Sequence, residues 1–285
     1  MKDLRKLDRF FRRHPLTRDA RSKAWMRFLS WQIRSRLQQD IVMPWVLGQK
    51  LVVQNGMTGA TGNIYAGLHE FADMALVLHF LRSGDYFADV GANIGSFTVL
   101  ASGVCRAKTF AFEPDPGTSL YLSRNIQIND IASLVDVYEI AVGDRCKDVE
   151  FTVGLDTVNR VVVGQHRSHS RLVKQMRLDD VLKNTVPAMI KVDVEGYEEK
   201  VISGALSTLM KEEVKIVELE TVSPCAEKVL ESIGFSRRFY DPFSRSFGNE
   251  GSSVSSSNAC FIRDECFVNS RVRSADRVEV LGISF

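Results

Sequence analysis

From Asp85 onward, short apolar runs that read as strands alternate with stretches that read as helices, and this alternation restricts the chain more than any other feature. Strands are expected at Phe87–Val90, Thr109–Phe112, Val135–Ala141, Met189–Val194 and Ile216–Leu219. Helices are expected at Gly95–Val104, Thr118–Ile128, Glu198–Met210 and Ala226–Ile233. Repeated strand–helix units imply an α/β fold, a mainly parallel doubly wound sheet with helices on both faces. Asp148–Val153 and Val161–Val163 interrupt the pattern as an extra hairpin. Ser236–Tyr240 and Ala259–Ile262 have no helix between them, so they are expected to close the sheet edge as an antiparallel pair.

Ahead of this region, Leu68–Leu81 reads as a helix, and the glycine- and threonine-rich NGMTGATGN (55–63) as a loop. Ile41–Val46 and Lys50–Gln54 flank Leu47-Gly48-Gln49 as a hairpin. The net charge of +2 conceals an asymmetry, because residues 1–36 hold 12 Lys/Arg against Asp3, Asp8 and Asp19. A basic arm therefore precedes an acidic body. Within the arm, Trp25, Phe28, Leu29, Ile33 and Leu37 recur at helical spacing and are expected on one face. That helix either packs on the main domain with a solvated basic face or meets an anionic membrane surface or a polyanionic partner. The expected organisation is a helical arm and hairpin over 1–54 and a Rossmann-like domain over 55–285. No apolar run approaches the roughly 20 residues that span a bilayer. The charged start MKDLRKLDRFFRRHP contains no hydrophobic leader core, so a cytoplasmic location is expected. Five scattered cysteines without a C-x-x-C indicate buried free thiols rather than a disulfide framework or a zinc site.

In a doubly wound sheet, ligands bind beyond the carboxyl ends of the strands, where strand order reverses. DVGANIGSF (89–97) is the first strand-to-helix turn. Gly91 and Gly95 are placed to let a ligand approach the backbone. The spacing G-x-N-x-G departs from the dinucleotide fingerprint G-x-G-x-x-G. Asp89 would repel a phosphate but favour a cation, such as a sulfonium with an amino-acid tail; a local cap of the turn is its bland alternative. Glu113, 24 positions later at the tip of the next strand, can accept hydrogen bonds from both hydroxyls of a ribose.

With these residues in view, the chain resembles the FkbM family of S-adenosylmethionine-dependent methyltransferases. The resemblance rests on DVGANIGSF, AFEPDP, AVGD (141–144), RLDDVL (177–182), IKVDVEGYE (190–198) and NACFIRD (258–264), and covers roughly residues 66–268. It implies a Rossmann-like class I methyltransferase fold, S-adenosyl-L-methionine as cofactor, and O-methylation of sugars or natural-product scaffolds. It also implies a cofactor site drawn from Asp89, Gly91, Ala92, Asn93, Gly95, Glu113, Pro114, Ala141, Val142 and Asp193. Asn93 stands where the wider methyltransferase pattern has a middle glycine, as the FkbM-like motif itself does.

An alcohol acceptor needs a group that removes its proton near the methyl donor. Strand alternation sets Lys191, Asp193 and Glu195 on one side of IKVDVEG, and Glu218 and Glu220 apart from Val217 and Leu219. Asp193, Lys191 and Glu220 are thus the main catalytic candidates, with His69 as a further base. A structural ion pair is the plain alternative for Lys191 and Asp193, as is a structural role for His69. Magnesium on Asp193 and Glu220 remains open, and no metal site is assigned. His166 and His169 fall in a polar stretch read as a solvent loop. The expected acceptor is a small molecule or saccharide. The competing readings are an RNA ribose methyltransferase, which the acidic body disfavours, and a non-catalytic module that keeps the fold.

Overall fold

The computed structural model describes residues 2–152, 159–162, 170–249, 256 and 258–285. Helices α1 (Lys2–Arg13) and α2 (Arg21–Leu37) lead into a hairpin of β1 (Ile41–Pro44) and β2 (Lys50–Val53). Then come α3 (Thr58–Ala66), α4 (Phe71–Phe80), β3 (Tyr86–Val90) and α5 (Ser96–Thr98), which continues as wider π-type turns over Val99–Val104. They are followed by β4 (Lys108–Phe112), α6 (Pro116–Ile128), β5 (Val135–Tyr138), β6 (Ala141–Val142), β7 (Lys147–Thr152) and β8 (Ser170–Met176). Next are α7 (Leu178–Leu182), β9 (Met189–Val192), α8 (Glu198–Ser203), α9 (Leu206–Leu209), β10 (Ile216–Leu219) and α10 (Pro224–Ser232). The chain closes with β11 (Ser236–Asp241), β12 (Ser246–Gly248), β13 (Ala259–Ile262), α11 (Glu265–Arg273), β14 (Glu279–Val280) and β15 (Ile283–Ser284).

The main sheet runs β12-β11-β13-β10-β9-β3-β4-β5, and its five strands from β10 to β5 are parallel. This is the Rossmann-like, doubly wound architecture expected from the sequence. Strand order reverses between β3 and β9, so the crevice at their carboxyl ends is the switch point. Alternation sorts the strands into two apolar layers. Phe87, Met189, Ile216 and Ile262 pack against α4 and α11, whereas Ala88, Val90, Ile190, Val217 and Phe261 pack against α8 to α10.

Several expectations are corrected or extended. The expected antiparallel pair at the sheet edge is present as β11 and β13, with two additions: β13 also pairs antiparallel with β10, and β12 covers the outer side of β11. The long connection between them allows that return. The expected strand Val135–Ala141 divides, because β6 leaves the main sheet to pair with β8. The expected hairpin after Asp148 is present in part, with Thr152 N–H donating to the Arg160 carbonyl (3.0 Å), Val162 N–H to the Glu150 carbonyl (2.8 Å) and Phe151 bridging Val161, while β7 pairs along its length with β8, which sequence reading missed. Most of the polar stretch holding His166 and His169 lies outside the described residues. The single helix expected over Glu198–Met210 is two, α8 and α9. Residues 58–63, expected as loop, belong to α3, where Ala60, Tyr65 and Ala66 are buried and tertiary packing overrides the glycine content. Of the five free cysteines, Cys146, Cys225 and Cys266 are exposed rather than buried.

The arm is built into this body. Phe11, Ala24 and Trp31 share one core with Ile41, Leu51 and Val53 of the hairpin and with Ile94, Leu122 and Ile126 of the main domain. Asn125 and Asn129 of α6 accept hydrogen bonds from the backbone of Val52 (2.6 Å) and Lys50 (2.8 Å), tying the hairpin down. The expected apolar face of α2 is corrected. Trp25 and Phe28 are half-buried, but Leu29, Ile33 and Leu37 point outward with Met26, at 55–78% exposure. Trp31, set between the small Ala24 and Ser35, is the side chain that seats α2 on the body.

Candidate active site

A cavity of about 990 Å³ opens at the switch point, within the range that takes a small-molecule ligand. Its floor is formed by residues just beyond β3, β4, β9 and β10, and its rim includes α1.

The turn after β3 is held by the neighbouring strand tips. The backbone N–H groups of Gly91 and Ala92 donate to the Phe112 carbonyl at 3.0 and 2.9 Å. Gly91 has φ +83°, and a Cβ there would lie 1.8 Å from the Asp193 carbonyl oxygen. Its glycine therefore serves the close passage of β9, while its backbone still lines the cavity. Asn93 adopts the left-handed conformation (φ 51°), which asparagine tolerates better than most side chains. Its N–H donates to Glu113 Oε2 at 3.0 Å, and Asp115 N–H donates to Oε1 at 2.9 Å. Glu113 is thus braced at the tip of β4. Burial pushes its carboxyl up to about 8, against the lowering effect of those two N–H groups.

Of the expected cofactor residues, Gly91, Ala92, Asn93, Glu113, Pro114, Ala141, Val142 and Asp193 all line the cavity. Asp89 and Gly95 do not. Asp89 is 1% exposed beneath the turn, where the Thr98 hydroxyl donates to its Oδ2 at 2.6 Å and Oδ1 has no hydrogen-bond partner among the described residues. Strand alternation points it into the layer under the cavity, beside Lys191. Gly95 precedes α5 with φ +89°, and a Cβ there would meet Leu122 at 2.5 Å, so its place is the packing of α6.

Lys191, Asp193, Glu220 and His69 all line the cavity. Lys191 Nζ lies 2.7 Å from Asp193 Oδ2 and 4.5 Å from the centre of the Phe97 ring. In register, Asp89, Lys191 and Glu218 stand side by side on β3, β9 and β10. Burial favours neutral Lys191, but Asp193, Glu70 and Asp89 outweigh it and raise its proton affinity. Burial likewise works to raise Asp193, yet the Lys191 charge brings it below the usual carboxylate range. Glu220 is pushed up to about 8, by burial first and by Asp193 second, and Glu70 to about 7, mainly by burial. Asp193, Glu195 and Glu220 offer carboxylate oxygens within 4.8 Å of one another. Glu195 adopts a left-handed conformation (φ 55°), a costly arrangement for a side-chain-bearing residue that the turn into α8 imposes.

His69 packs on Phe10 with ring centroids 5.3 Å apart, and burial lowers its proton affinity. Its Nδ1 is buried without a partner. Asn63 fixes the local backbone by accepting from His69 N–H (2.8 Å) and donating to Ser96 Oγ (3.0 Å).

Sequence reading did not find the arm's contribution: Lys6, Arg9, Phe10, Arg13 and His14 also line the cavity. Nothing local to α1 announces this, because the contact joins the two ends of a long sequence separation. Asn258 also lines the cavity, and its place in NACFIRD was the available signal.

The family model of the methyltransferase FkbM domain matches residues 89–239. A protein of Haloferax volcanii named hexuronic acid methyltransferase AglP is 30% identical, over 50% of this chain and 59% of that protein, so the match spans less than two thirds of its length. Methyltransferase sdnD of Sordaria araneosa is 29% identical, over 58% of this chain and 79% of that one. The crystal structure of methyltransferase FkbM from Methylobacillus flagellatus superposes with a TM-score of 0.42 at 18% identity, over 62% of this chain and 43% of that chain.

Proposed function

Because this chain belongs to the FkbM methyltransferase family, we propose that it transfers a methyl group from S-adenosylmethionine to a hydroxyl of a saccharide or a natural-product scaffold. The observation that carries this reading is the Lys191–Asp193 pair, with Glu220, opening on the same cavity as Gly91, Asn93 and Glu113. The saccharide is favoured by the name of the Haloferax volcanii relative.

The cavity's own groups fit the cofactor. Glu113, braced by two backbone N–H groups, keeps lone pairs for the ribose hydroxyls. Glu70, Asp193, Glu195 and Glu220 supply acidic surroundings suited to a sulfonium and an ammonium. When bound, S-adenosylmethionine supplies an electrophilic methyl group on sulfur. Lys191 keeps Asp193 ionised and fixes its position. As the acceptor oxygen takes the methyl, its proton passes to the Asp193 carboxylate, beside which Glu220 stands within 4.8 Å. The walls align the two substrates and exclude water, which is most of what an in-line displacement needs.

Peripheral contact with an anionic membrane surface through the arm is a second part of this reading. It is favoured by the outward row Met26, Leu29, Ile33 and Leu37, bordered on the helix by the exposed Lys23, Arg34 and Arg36.

The test is transfer of a labelled methyl group from S-adenosylmethionine to fractionated extract. Label is expected in glycan or small-molecule fractions. Label confined to RNA overturns the saccharide reading.

A further inference from the structure

Helix α1 carries Lys6, Arg9 and Arg13 at spacings of three and four, which sets them on one face with Phe10 between them. That face borders the cavity. Its orientation is fixed by contacts on the rest of the helix and just beyond. Phe11 is fully buried, meeting Trp25 and Tyr65 edge-on at 5.4 and 6.4 Å. Phe10 packs on His69, and His14 Nε2 lies 2.7 Å from the Leu68 carbonyl oxygen. The helix face that carries the three cations is therefore fixed toward the cavity.

Among the described residues, none of the three forms an ion pair, whereas their neighbour Arg12 is paired with Asp8 at 2.6 Å. Three unneutralised cations on one cavity wall contrast with the acids at the strand tips, Glu70, Asp193, Glu195 and Glu220. An anion in the cavity is attracted to α1, since Lys191 at the strand tips is already paired with Asp193.

We propose that Lys6, Arg9 and Arg13 form an anion-binding subsite for the methyl acceptor, so that the acceptor is a hydroxyl compound bearing an oxyanion, either a carboxylate or a phosphate. This rests on the methyltransferase reading above and narrows its substrate class. The oxyanion docks on α1, because the strand-tip cation, Lys191, is already paired with Asp193. The neutral hydroxyl of the same molecule is thereby the group presented to Asp193. Arginine suits the role because its planar fork binds either oxyanion in bidentate fashion.

The test is calorimetry on the full chain saturated with S-adenosylhomocysteine, using methyl glucuronide, glucose 1-phosphate and the neutral methyl glucoside as probes. At least one anionic probe is expected to bind roughly tenfold or more tightly than methyl glucoside, with an affinity that falls as salt rises. Preference for the glucuronide identifies a carboxylate, and preference for the sugar phosphate identifies a phosphate. The triple variant Lys6→Gln, Arg9→Gln, Arg13→Gln should lose about tenfold to hundredfold for the anionic probe. Its unfolding temperature and its affinity for S-adenosylhomocysteine should not change, and Arg9→Gln alone should show part of the loss. Equal affinity for charged and neutral probes, no binding of either anionic probe, or full retention by the triple variant overturns the subsite. Failure of the methyltransferase reading is separately visible as no binding of S-adenosylhomocysteine by the wild type, with the charge discrimination then measured in its absence.

Discussion

The Lys191 ammonium and the Asp193 carboxylate are joined at 2.7 Å, the lysine almost fully buried and the aspartate partly open to the cavity. A buried lysine stays charged only beside such a partner, and the pair therefore presents an ionised carboxylate to whatever enters. Asp193→Asn keeps the shape and removes the charge. Methyl transfer should fall by roughly a hundredfold to ten-thousandfold while S-adenosylhomocysteine affinity changes little. Single-turnover kinetics and calorimetry check the two halves, and a joint loss would move Asp193 from proton transfer to cofactor binding.

Glu113 has two duties, bracing Asn93 and Asp115 and facing the cavity. Glu113→Ala should weaken S-adenosylhomocysteine binding by about tenfold to hundredfold, from the loss of its hydrogen bonds to the two ribose hydroxyls. Unchanged affinity by calorimetry would remove it from the cofactor site.

Glu70, Glu113 and Glu220 have proton affinities raised to about 7, 8 and 8 from an ordinary 4.5. Between those limits the folded chain holds protons that the unfolded chain has released, so stability falls as pH rises through this window. The urea midpoint of the ligand-free protein should be lower at about pH 8.5 than at about pH 5.5, and Glu113→Gln should flatten the slope. A rising midpoint would mean that these carboxyls ionise freely in the folded state.

Gly62 lies inside α3, and a Cβ there would sit 2.1 Å from His69 Nδ1. Alanine in a helix interior ordinarily gains about 1 kcal/mol over glycine. Here Gly62→Ala should instead destabilise the protein and raise the acceptor KM by moving the His69 ring. Thermal unfolding and steady-state kinetics read the two effects, and a stabilised variant with normal KM would show that the ring yields without consequence.

Trp31 is 1% exposed in the core shared by the arm, the hairpin and the main domain. Trp31→Ala should cost about 3–5 kcal/mol, and deletion of residues 1–37 should prevent stable folding. Denaturant unfolding measures the first, and a truncated chain with native stability would make the arm a separate appendage.

Leu29 and Ile33 are 55% and 63% exposed on the outer side of α2. The double variant Leu29→Asp, Ile33→Asp should abolish co-sedimentation with vesicles containing phosphatidylserine while leaving S-adenosylhomocysteine affinity intact. Absence of salt-sensitive vesicle binding by the wild type would end the membrane reading.

Much of the central fold was legible in the sequence because its signals are local. Short apolar runs mark β3, β4, β9 and β10, and the acidic residue that follows β4, β9 and β10 marks where the chain leaves the sheet. Parallel strands put those ends on one edge, so Glu113, Asp193 and Glu220 could be brought to one crevice from spacing alone. Lys191 and Asp193 share a side because strand alternation is a property of the backbone itself.

What depended on distant partners was not legible. Asp89 reads as a cavity residue, yet strand alternation turns it inward under the turn, and the Thr98 hydroxyl holds it there. Residues 58–63 read as loop, yet burial of Ala60 and Tyr65 makes them part of a helix. The insertion of β13 between β10 and β11 depends on hydrogen bonds made across more than twenty intervening residues. The arm shows the limit most plainly: the same three cations on α1 would read identically on a solvated helix. Only the burial of Phe11 and Trp31 against the main domain turns them toward the cavity, and side-chain packing across the tertiary structure leaves no periodic trace in the chain.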